Sequence, residues 1–232
     1  MAKDYYILSM LPTIESLGAP APMTPREFLA LFEHEDPVRE LIAAIFLSDD
    51  LLQRQAALAG GELNGFTPSV LSRSQLSGET DLPETLLPVS GDDAMRFVAP
   101  EDALWETYYQ WLHTLATGSR SAFLREWIGF EVGLRNALAV RRAAELDLDT
   151  GGYTLAEDLG RDEDEFTAIL NDLQSADGPL DQKETLDLAR WAWLDENDAW
   201  FSFGDDEILA YAVRLLLTTR WERINDALDE AS

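Results

Sequence analysis

The chain has 232 residues, 46% of them hydrophobic, which is enough apolar material for one large domain or two small ones. It contains no cysteine, so disulfides, thiolate nucleophiles and thiolate metal sites are excluded. Its 44 acidic and 17 basic residues give a net charge of −27 at pH 7, so we expect no nucleic-acid partner. An acidic surface with only two lysines, Lys3 and Lys183, also suits high salt, and adaptation to a high-salt host is a hypothesis.

Residues 1–60 predict a short extended segment followed by helices. The extended segment is Tyr5–Leu11, which ends before a proline. A capping box at Thr24–Glu27 and the pair Asp36–Pro37 each open a helix. Ser48 is a candidate N-cap for a third helix. These signals predict an N-terminal helical part.

Glycine and proline recur throughout residues 61–99 and interrupt any regular element. One short helix is predicted near Ser69–Gln75. A connection this long is unusual within a compact domain, so we expect it to cross the surface or to join two parts of the protein.

The helical signal is strongest in residues 100–232, which predict the main helical bundle. A helix over Glu101–Thr117 is followed by a long helix from Arg120 to about Leu146, for which Ser119 is a candidate N-cap.

Within this long helix, Gly129, Gly133 and Ala137 recur four residues apart. Glycine inside a helix costs about 1 kcal/mol relative to alanine. The row therefore predicts that a neighbouring helix crosses the long helix closely.

A second capping box at Thr154–Glu157 predicts a short helix, and further helices are predicted over 162–173, 181–195 and 205–228. No solenoid repeat and no alternating strand pattern is visible in the sequence. The fold class is therefore predicted as an all-α multi-helix bundle with long helices, in which the N-terminal part and the main bundle form one continuous compact unit.

The longest apolar run near the C-terminus, Ile208–Val213 and its continuation after Arg214, falls well short of the roughly 20 residues that cross a bilayer. The apolar run at the N-terminus is too short for a signal peptide. We expect a cytoplasmic protein without direct membrane insertion.

An acidic and aromatic corner lies at the end of the helix predicted over 181–195. It comprises Trp191, Trp193, Asp195, Glu196, Asp198 and Trp200. Aromatic residues beside carboxylates are typical of sugar-cleaving sites, but a glycosidase opposes two carboxyl groups about 5–10 Å apart across its substrate. Acids within one helical turn give no such pair, so the pattern favours a packed corner between helices. A hydrolase acting near Asp195 remains the alternative.

The stretch from Asp147 to Gly152 imitates the start of a helix-loop-helix calcium site, with Asp149 at the third position. The match fails at the twelfth position, where Asp158 stands instead of a bidentate glutamate. A helix stop explains the same residues, and a calcium-responsive helical adaptor is a further alternative. The two histidines, His34 and His113, stand alone, and no metal, phosphate or cofactor motif is visible.

Two segments carry recognisable motifs, namely Phe123, Leu124, Trp127 and Asn136, then Trp191, Trp193 and Leu194, the corner Trp200–Phe203, and Arg220 with Trp221. With these residues the two segments resemble a family of small proteins encoded with bacterial V-type ATPases. That family is itself similar to the V-type ATPase stalk component designated C (designated d in eukaryotes). The resemblance covers residues 1–35 loosely and about 100–225 well.

The resemblance implies a funnel-like helical fold and a non-catalytic coupling subunit of a rotary V-type ATPase. Its implied partners are the subunits of the central stalk and the ion-translocating ring of the membrane rotor. It implies no cofactor, and a location on the cytoplasmic face of the inner membrane through partner subunits. The residues expected to have structural roles are Trp127, Gly129, Gly133, Asn136, Trp191, Trp193, Trp200 and Trp221.

Overall fold

A computed structural model of the chain describes residues 2–63, 66–87, 96–199 and 202–230. The regular elements among these residues are all helices, with no strand, and the predicted all-α multi-helix bundle is confirmed. The α-helices are α1 (Ala2–Met10), α2 (Pro25–Leu29), α3 (Pro37–Leu58), α4 (Arg73–Leu76), α5 (Pro100–Ser119), α6 (Ala122–Glu145), α7 (Thr167–Gln174), α8 (Pro179–Asn197) and α9 (Asp205–Glu230). Short 3-10 helices lie at Glu84–Leu86, Thr150–Gly152 and Glu163–Phe166.

The chain divides into two compact units. Unit 1 combines the residues up to Asp81 with those from Asp187 onwards, and unit 2 comprises Leu82–Leu186. This division differs from the predicted segments 1–60, 61–99 and 100–232, because α4 in the glycine- and proline-rich connection packs on α3, whereas the later 3-10 helix Glu84–Leu86 packs on α5.

Unit 1 is built on the pairing of α3 with α9, which α2 and α4 complete. Phe28 of α2 joins these elements, since its ring centroid lies 6.1 Å from that of Phe46 in α3 and 5.3 Å from that of Tyr211 in α9. The predicted starts of α2 and α3 are confirmed, with Thr24 and Asp36 as their N-caps.

Two predictions for unit 1 are wrong. The segment predicted as extended is helix α1, which buries Ile7 and leaves Tyr5 and Tyr6 exposed, so its burial does not alternate as in a strand. Ser48 does not start a third helix, because α3 continues through it and its hydroxyl donates to the carbonyl of Ile45 (2.8 Å).

Unit 2 is built on the pairing of α5 with α6. Arg135 of α6 binds Asp102 of α5 at 2.7 Å, and its guanidinium lies 5.2 Å from the ring centroid of Trp105. The 3-10 helix Glu163–Phe166 packs on α6, where the ring of Phe166 lies 5.7 Å from that of Phe130.

Three boundaries in unit 2 differ from the prediction. Ser121, not Ser119, caps α6, because Arg120 takes a left-handed conformation (φ 61°) that separates α5 from α6. The side chains of Thr154 and Glu157 bond to each other, yet no helix follows, since Ala156 also takes a positive φ (44°). The helix predicted over 162–173 divides into a 3-10 helix and α7.

None of the helices in the described ranges combines the length and the apolar character needed to cross a membrane.

Candidate functional site

A buried arginine organises the acidic corner of unit 1. Arg214 lies in α9 with 7% of its surface exposed. Its Nη2 donates to Oδ1 of Asp195 (2.9 Å) and to Oδ2 of Asp198 (2.5 Å). Its guanidinium carbon lies 5.8 Å from the ring centroid of Trp191, within reach of a cation–π interaction. One guanidinium therefore holds both carboxylates beside an indole ring.

The tryptophans of the corner belong to the interior of unit 1. Trp191, Trp193 and Trp221 are buried, and Leu194 is fully enclosed. Trp200, which was predicted to share this role, lies outside the described residues.

A cavity of about 180 Å³ lies beside Arg214. Its walls are Leu8, Leu11, Pro12, Thr13 and Ile14 from the N-terminal segment, and Asp198, Glu207, Ala210, Tyr211 and Arg214. The hydroxyl of Tyr211 donates to the carbonyl of Pro12 at 2.9 Å. Burial raises the pKa of Tyr211 to about 12, so this hydroxyl keeps its proton at neutral pH.

The positions of Asp195 and Asp198 at Arg214 do not favour the hydrolase alternative. A glycosidase places one carboxyl group on each side of the bond that it cleaves. Here Asp195 and Asp198 converge on the same nitrogen of Arg214, so both carboxylates face one guanidinium and do not oppose each other across a substrate. The arrangement favours a role in holding α8 to α9 over acid–base chemistry.

A second charged cluster joins α3 to α9. Nε of Arg220 donates to Asp49 at 2.9 Å, and Nη2 of Arg223 donates to both oxygens of the same carboxylate at 2.8 and 2.9 Å. Nη2 of Arg220 also donates to the hydroxyl of Ser48 (3.0 Å). The side chain of Asp49 is only 5% exposed, so these are charge-assisted bonds in a largely dry site.

The neighbouring Asp50 binds a backbone segment. It accepts from the N–H groups of Ser69 (3.0 Å), Val70 (2.7 Å) and Leu71 (2.8 Å), and so fixes the chain before α4. Burial raises the pKa of Asp50, and the nearby charge of Asp49 adds to this effect, while the three N–H groups oppose it.

In unit 2 the predicted small-residue row lies against irregular chain. A Cβ on Gly129 would lie 3.3 Å from the carbonyl oxygen of Leu159, and one on Gly133 would lie 2.6 Å from the ring of Phe166. The N–H of Arg161 donates to the carbonyl of Gly129 at 3.1 Å. The close approach is therefore real, but the predicted partner is wrong, since a loop and a 3-10 helix take the place of a crossing α-helix.

Asn136 and Trp127 complete this face of α6. The side-chain amide of Asn136 donates to the carbonyl of Leu155 (2.7 Å) and accepts from its N–H (3.0 Å), so it replaces a backbone partner for that residue. Trp127 is buried, with its ring centroid 5.8 Å from that of Phe130.

The two aspartates of the calcium look-alike have local roles. Asp149 caps the 3-10 helix at Thr150–Gly152 by accepting from the N–H of Gly151 at 3.3 Å. Asp147 takes a left-handed conformation (φ 56°) after the end of α6. Within the ranges that the structure describes, no group of three or more histidine or acidic side chains is placed to hold a metal ion.

Asp49, Asp50 and Arg214 are among the charged residues that the structure buries, and sequence reasoning missed their burial. A signal was present, because each stands inside an otherwise apolar stretch of a long helix. A charge at such a position needs a partner, and the partner then identifies which elements meet.

The comparisons with known proteins place the chain in one family. The model of the family described as Protein of unknown function (DUF2764) matches residues 85–230. No curated protein and no solved structure gives a match. Since the matched residues make up well over half of the chain, the protein belongs to the DUF2764 family.

Proposed function

We propose that the protein is a non-catalytic coupling subunit of a rotary V-type ATPase, located between the central stalk and the membrane rotor ring. The observation that carries the proposal is the resemblance at Phe123–Asn136 and Trp191–Trp221. Trp127, Trp193 and Trp221, which belong to these two segments, are buried parts of the helical framework.

A coupling subunit must be rigid, and the long, closely packed helices meet this requirement. A part that transmits torque must resist deformation, and close-packed interiors transmit strain. Helix α9 has 26 residues, which corresponds to about 39 Å at 1.5 Å per residue. Within unit 1 it is tied to α3 through Asp49 and to α8 through Arg214.

The chemistry of the charged clusters supports a role without catalysis. The buried carboxylates of Asp49, Asp50 and Asp198 are each engaged by arginine or by backbone N–H groups. Groups held in this way stabilise the contact between elements, whereas a catalytic acid or base must exchange a proton with a substrate.

The proposal requires two binding partners. One is the stalk and the other is the ring, so each interface should approach the roughly 1,200–2,000 Å² that stable complexes bury in total. Attachment to the cytoplasmic face of the inner membrane would then come through these partner subunits.

The test is affinity purification of the tagged protein from its own host, followed by mass spectrometry. We expect V-type stalk and ring subunits to co-purify, and ATPase assembly to fail when the gene is deleted. The matched control is the same tag on an unrelated acidic protein of similar size, because a charge of −27 attracts basic proteins without specificity.

A clean absence of those subunits, together with an assembled and active ATPase in the deletion strain, would show that the proposal is wrong.

A further inference from the structure

Two aromatic rings of unit 1 meet at its surface and remain partly in water. The ring centroids of Tyr5 in α1 and Phe203, just before α9, are 5.2 Å apart. Tyr5 is 56% exposed and Phe203 is 42% exposed. We call these two residues the Tyr5–Phe203 patch. Tyr6 and Met10 add further exposed apolar surface to α1.

The backbone of Phe203 is strained. Its φ of 52° lies in the left-handed region, where a bulky side chain is a genuine outlier and glycine is usual. Its N–H donates to Oε2 of Glu207 at 2.9 Å, which holds this conformation at the start of α9. Strain of this kind persists where the surrounding structure imposes it, and it concentrates at binding and switching sites. Here the strained backbone holds the ring of Phe203 at the surface, where the protein buries it only partly.

The segment that carries Phe203 is strongly acidic. Between Asp195 and Glu207 the sequence has six acidic residues and no basic one. Arg214 binds two of them, Asp195 and Asp198, and Asp205 and Asp206 stand with Glu207 in the first turn of α9. Aromatic faces beside carboxylates attract guanidinium and ammonium groups through cation–π and ionic interactions.

From these observations we propose that the Tyr5–Phe203 patch is a docking surface for a basic segment of a partner subunit, which places an arginine or lysine against the two rings. Charge complementarity selects this occupant, because the acidic residues that flank Phe203 in the chain repel an acidic segment and favour a basic one. The inference rests on the proposed function, since it takes the partner to be a stalk or ring subunit of the ATPase.

The test compares three tagged proteins in the host purification described above. The first is the wild type, the second is Tyr5→Ser/Phe203→Gly, and the third is the matched control Leu188→Ser. Leu188 is 50% exposed and lies in the part of α8 that belongs to unit 1, so the control removes an exposed apolar side chain that is not part of the patch.

We expect the patch variant to capture about tenfold less of the ATPase subunits, as for loss of a central interface contact, and the control to capture as much as the wild type. Phe203→Gly alone should melt close to the wild type, because the strain that glycine relieves offsets the loss of the ring contact with Tyr5. If the double variant is unstable, capture of the ATPase subunits is measured with Phe203→Gly alone.

Each other outcome contradicts a defined part of the inference. Equal capture by the patch variant and the wild type would overturn the docking surface and leave the proposed function standing. An equal loss in the Leu188→Ser control would show that the patch is not specific. A Phe203→Gly variant that melts well below the wild type would remove the argument from strain. No ATPase subunits with the wild type would refute the proposed function, and this inference with it.

Discussion

At the scale of single residues, Arg214 shows how α9 accommodates a charge in its apolar stretch. Its two acidic partners differ in environment, since the side chain of Asp198 is 4% exposed and that of Asp195 is 59% exposed. Solvent screens the exposed pair of Arg214 with Asp195, which therefore contributes little to the free energy of unfolding. In the buried pair of Arg214 with Asp198, removal of either member leaves the other charge buried without a partner. The stability of the corner therefore rests mainly on Arg214 and Asp198.

The replacement Arg214→Met should lower the free energy of unfolding by about 3–5 kcal/mol, because it leaves Asp198 buried without its cation. Asp195→Ala, at the exposed partner, should cost less than about 1 kcal/mol. Urea denaturation measures both changes, and the double variant Arg214→Met/Asp198→Asn should recover part of the loss. Equal effects of the two single replacements would contradict this account.

Tyr211→Phe tests the hydrogen bond to Pro12, because it removes the hydroxyl but keeps the stacking on Phe28. At neutral pH the loss should be about 0.5–1.5 kcal/mol. The folded pKa of about 12 lies above the ordinary value of 10.0, so the contribution of the hydroxyl is complete below pH 10 and is lost as the pH rises towards 12.

The stability difference between wild type and Tyr211→Phe should therefore shrink over this interval. Urea unfolding of both proteins at about pH 8 and about pH 11 measures it, since free tyrosine ionises near pH 10. A difference that stays constant between these two values would mean that the hydroxyl is not buried against Pro12.

At the scale of helices, the glycines of α6 are explained by what lies against them. A Cβ on Gly133 would come within 2.6 Å of the ring of Phe166 and 3.0 Å of the backbone nitrogen of Arg161. By contrast, a Cβ on Gly118 in α5 would meet nothing within 4 Å. The two positions form a matched pair of helical glycines in unit 2.

Gly133→Ala should therefore destabilise the protein by about 1–3 kcal/mol through overpacking. Gly118→Ala should stabilise it by up to about 1 kcal/mol, because alanine is the better helix former. Thermal and urea melts of both variants measure the changes. The same sign at both positions would contradict the close contact at Gly133.

Local signals account for much of what the sequence predicts correctly. The caps at Thr24 and Asp36 are read from adjacent residues, and the long helices α5, α6 and α9 follow from apolar periodicity. Where packing overrides the local pattern, the prediction fails. The side chains of Thr154 and Glu157 bond to each other, but no helix follows, because the N–H groups of Leu155 and Ala156 donate to Asn136 and Glu106 and the chain does not continue in a turn of helix.

The candidate site was predictable only in part, for a related reason. The positions of Trp191 and Trp193 follow from helical spacing, so the corner was visible in the sequence. The ion pairs were not, because Arg214 meets its acids across a gap of 16 to 19 residues and Asp49 meets Arg220 across 171. A single sequence gives the charge of such residues but not their partners.

At the scale of the whole molecule, a charge of −27 produces repulsion that low salt does not screen. The Debye length falls from about 10 Å at 0.1 M to about 3 Å at 1 M ionic strength, so multimolar KCl removes most of this repulsion. The melting temperature should therefore rise with KCl. A melting temperature that is unchanged or lower at high KCl would contradict the hypothesis of salt adaptation.

The control for this measurement is sucrose at matched osmolality, which stabilises folded proteins by exclusion from their surface without screening charge. Stabilisation that is equally large in sucrose would assign the effect to exclusion and not to electrostatics.

The division of the chain into units also sets the order in which the protein can fold during its synthesis. Unit 2 is one uninterrupted stretch, Leu82–Leu186, whereas unit 1 needs residues from both sides of it. Every residue of unit 2 has left the ribosome before α9 is complete, and domains generally fold as units as they emerge. The apolar face of α3 and the carboxylate of Asp49 therefore lack their partners in α9 while more than a hundred further residues are translated. A pause or a truncation in the last stretch of the message would leave α3 without its partner, although the residues of unit 2 would all be present.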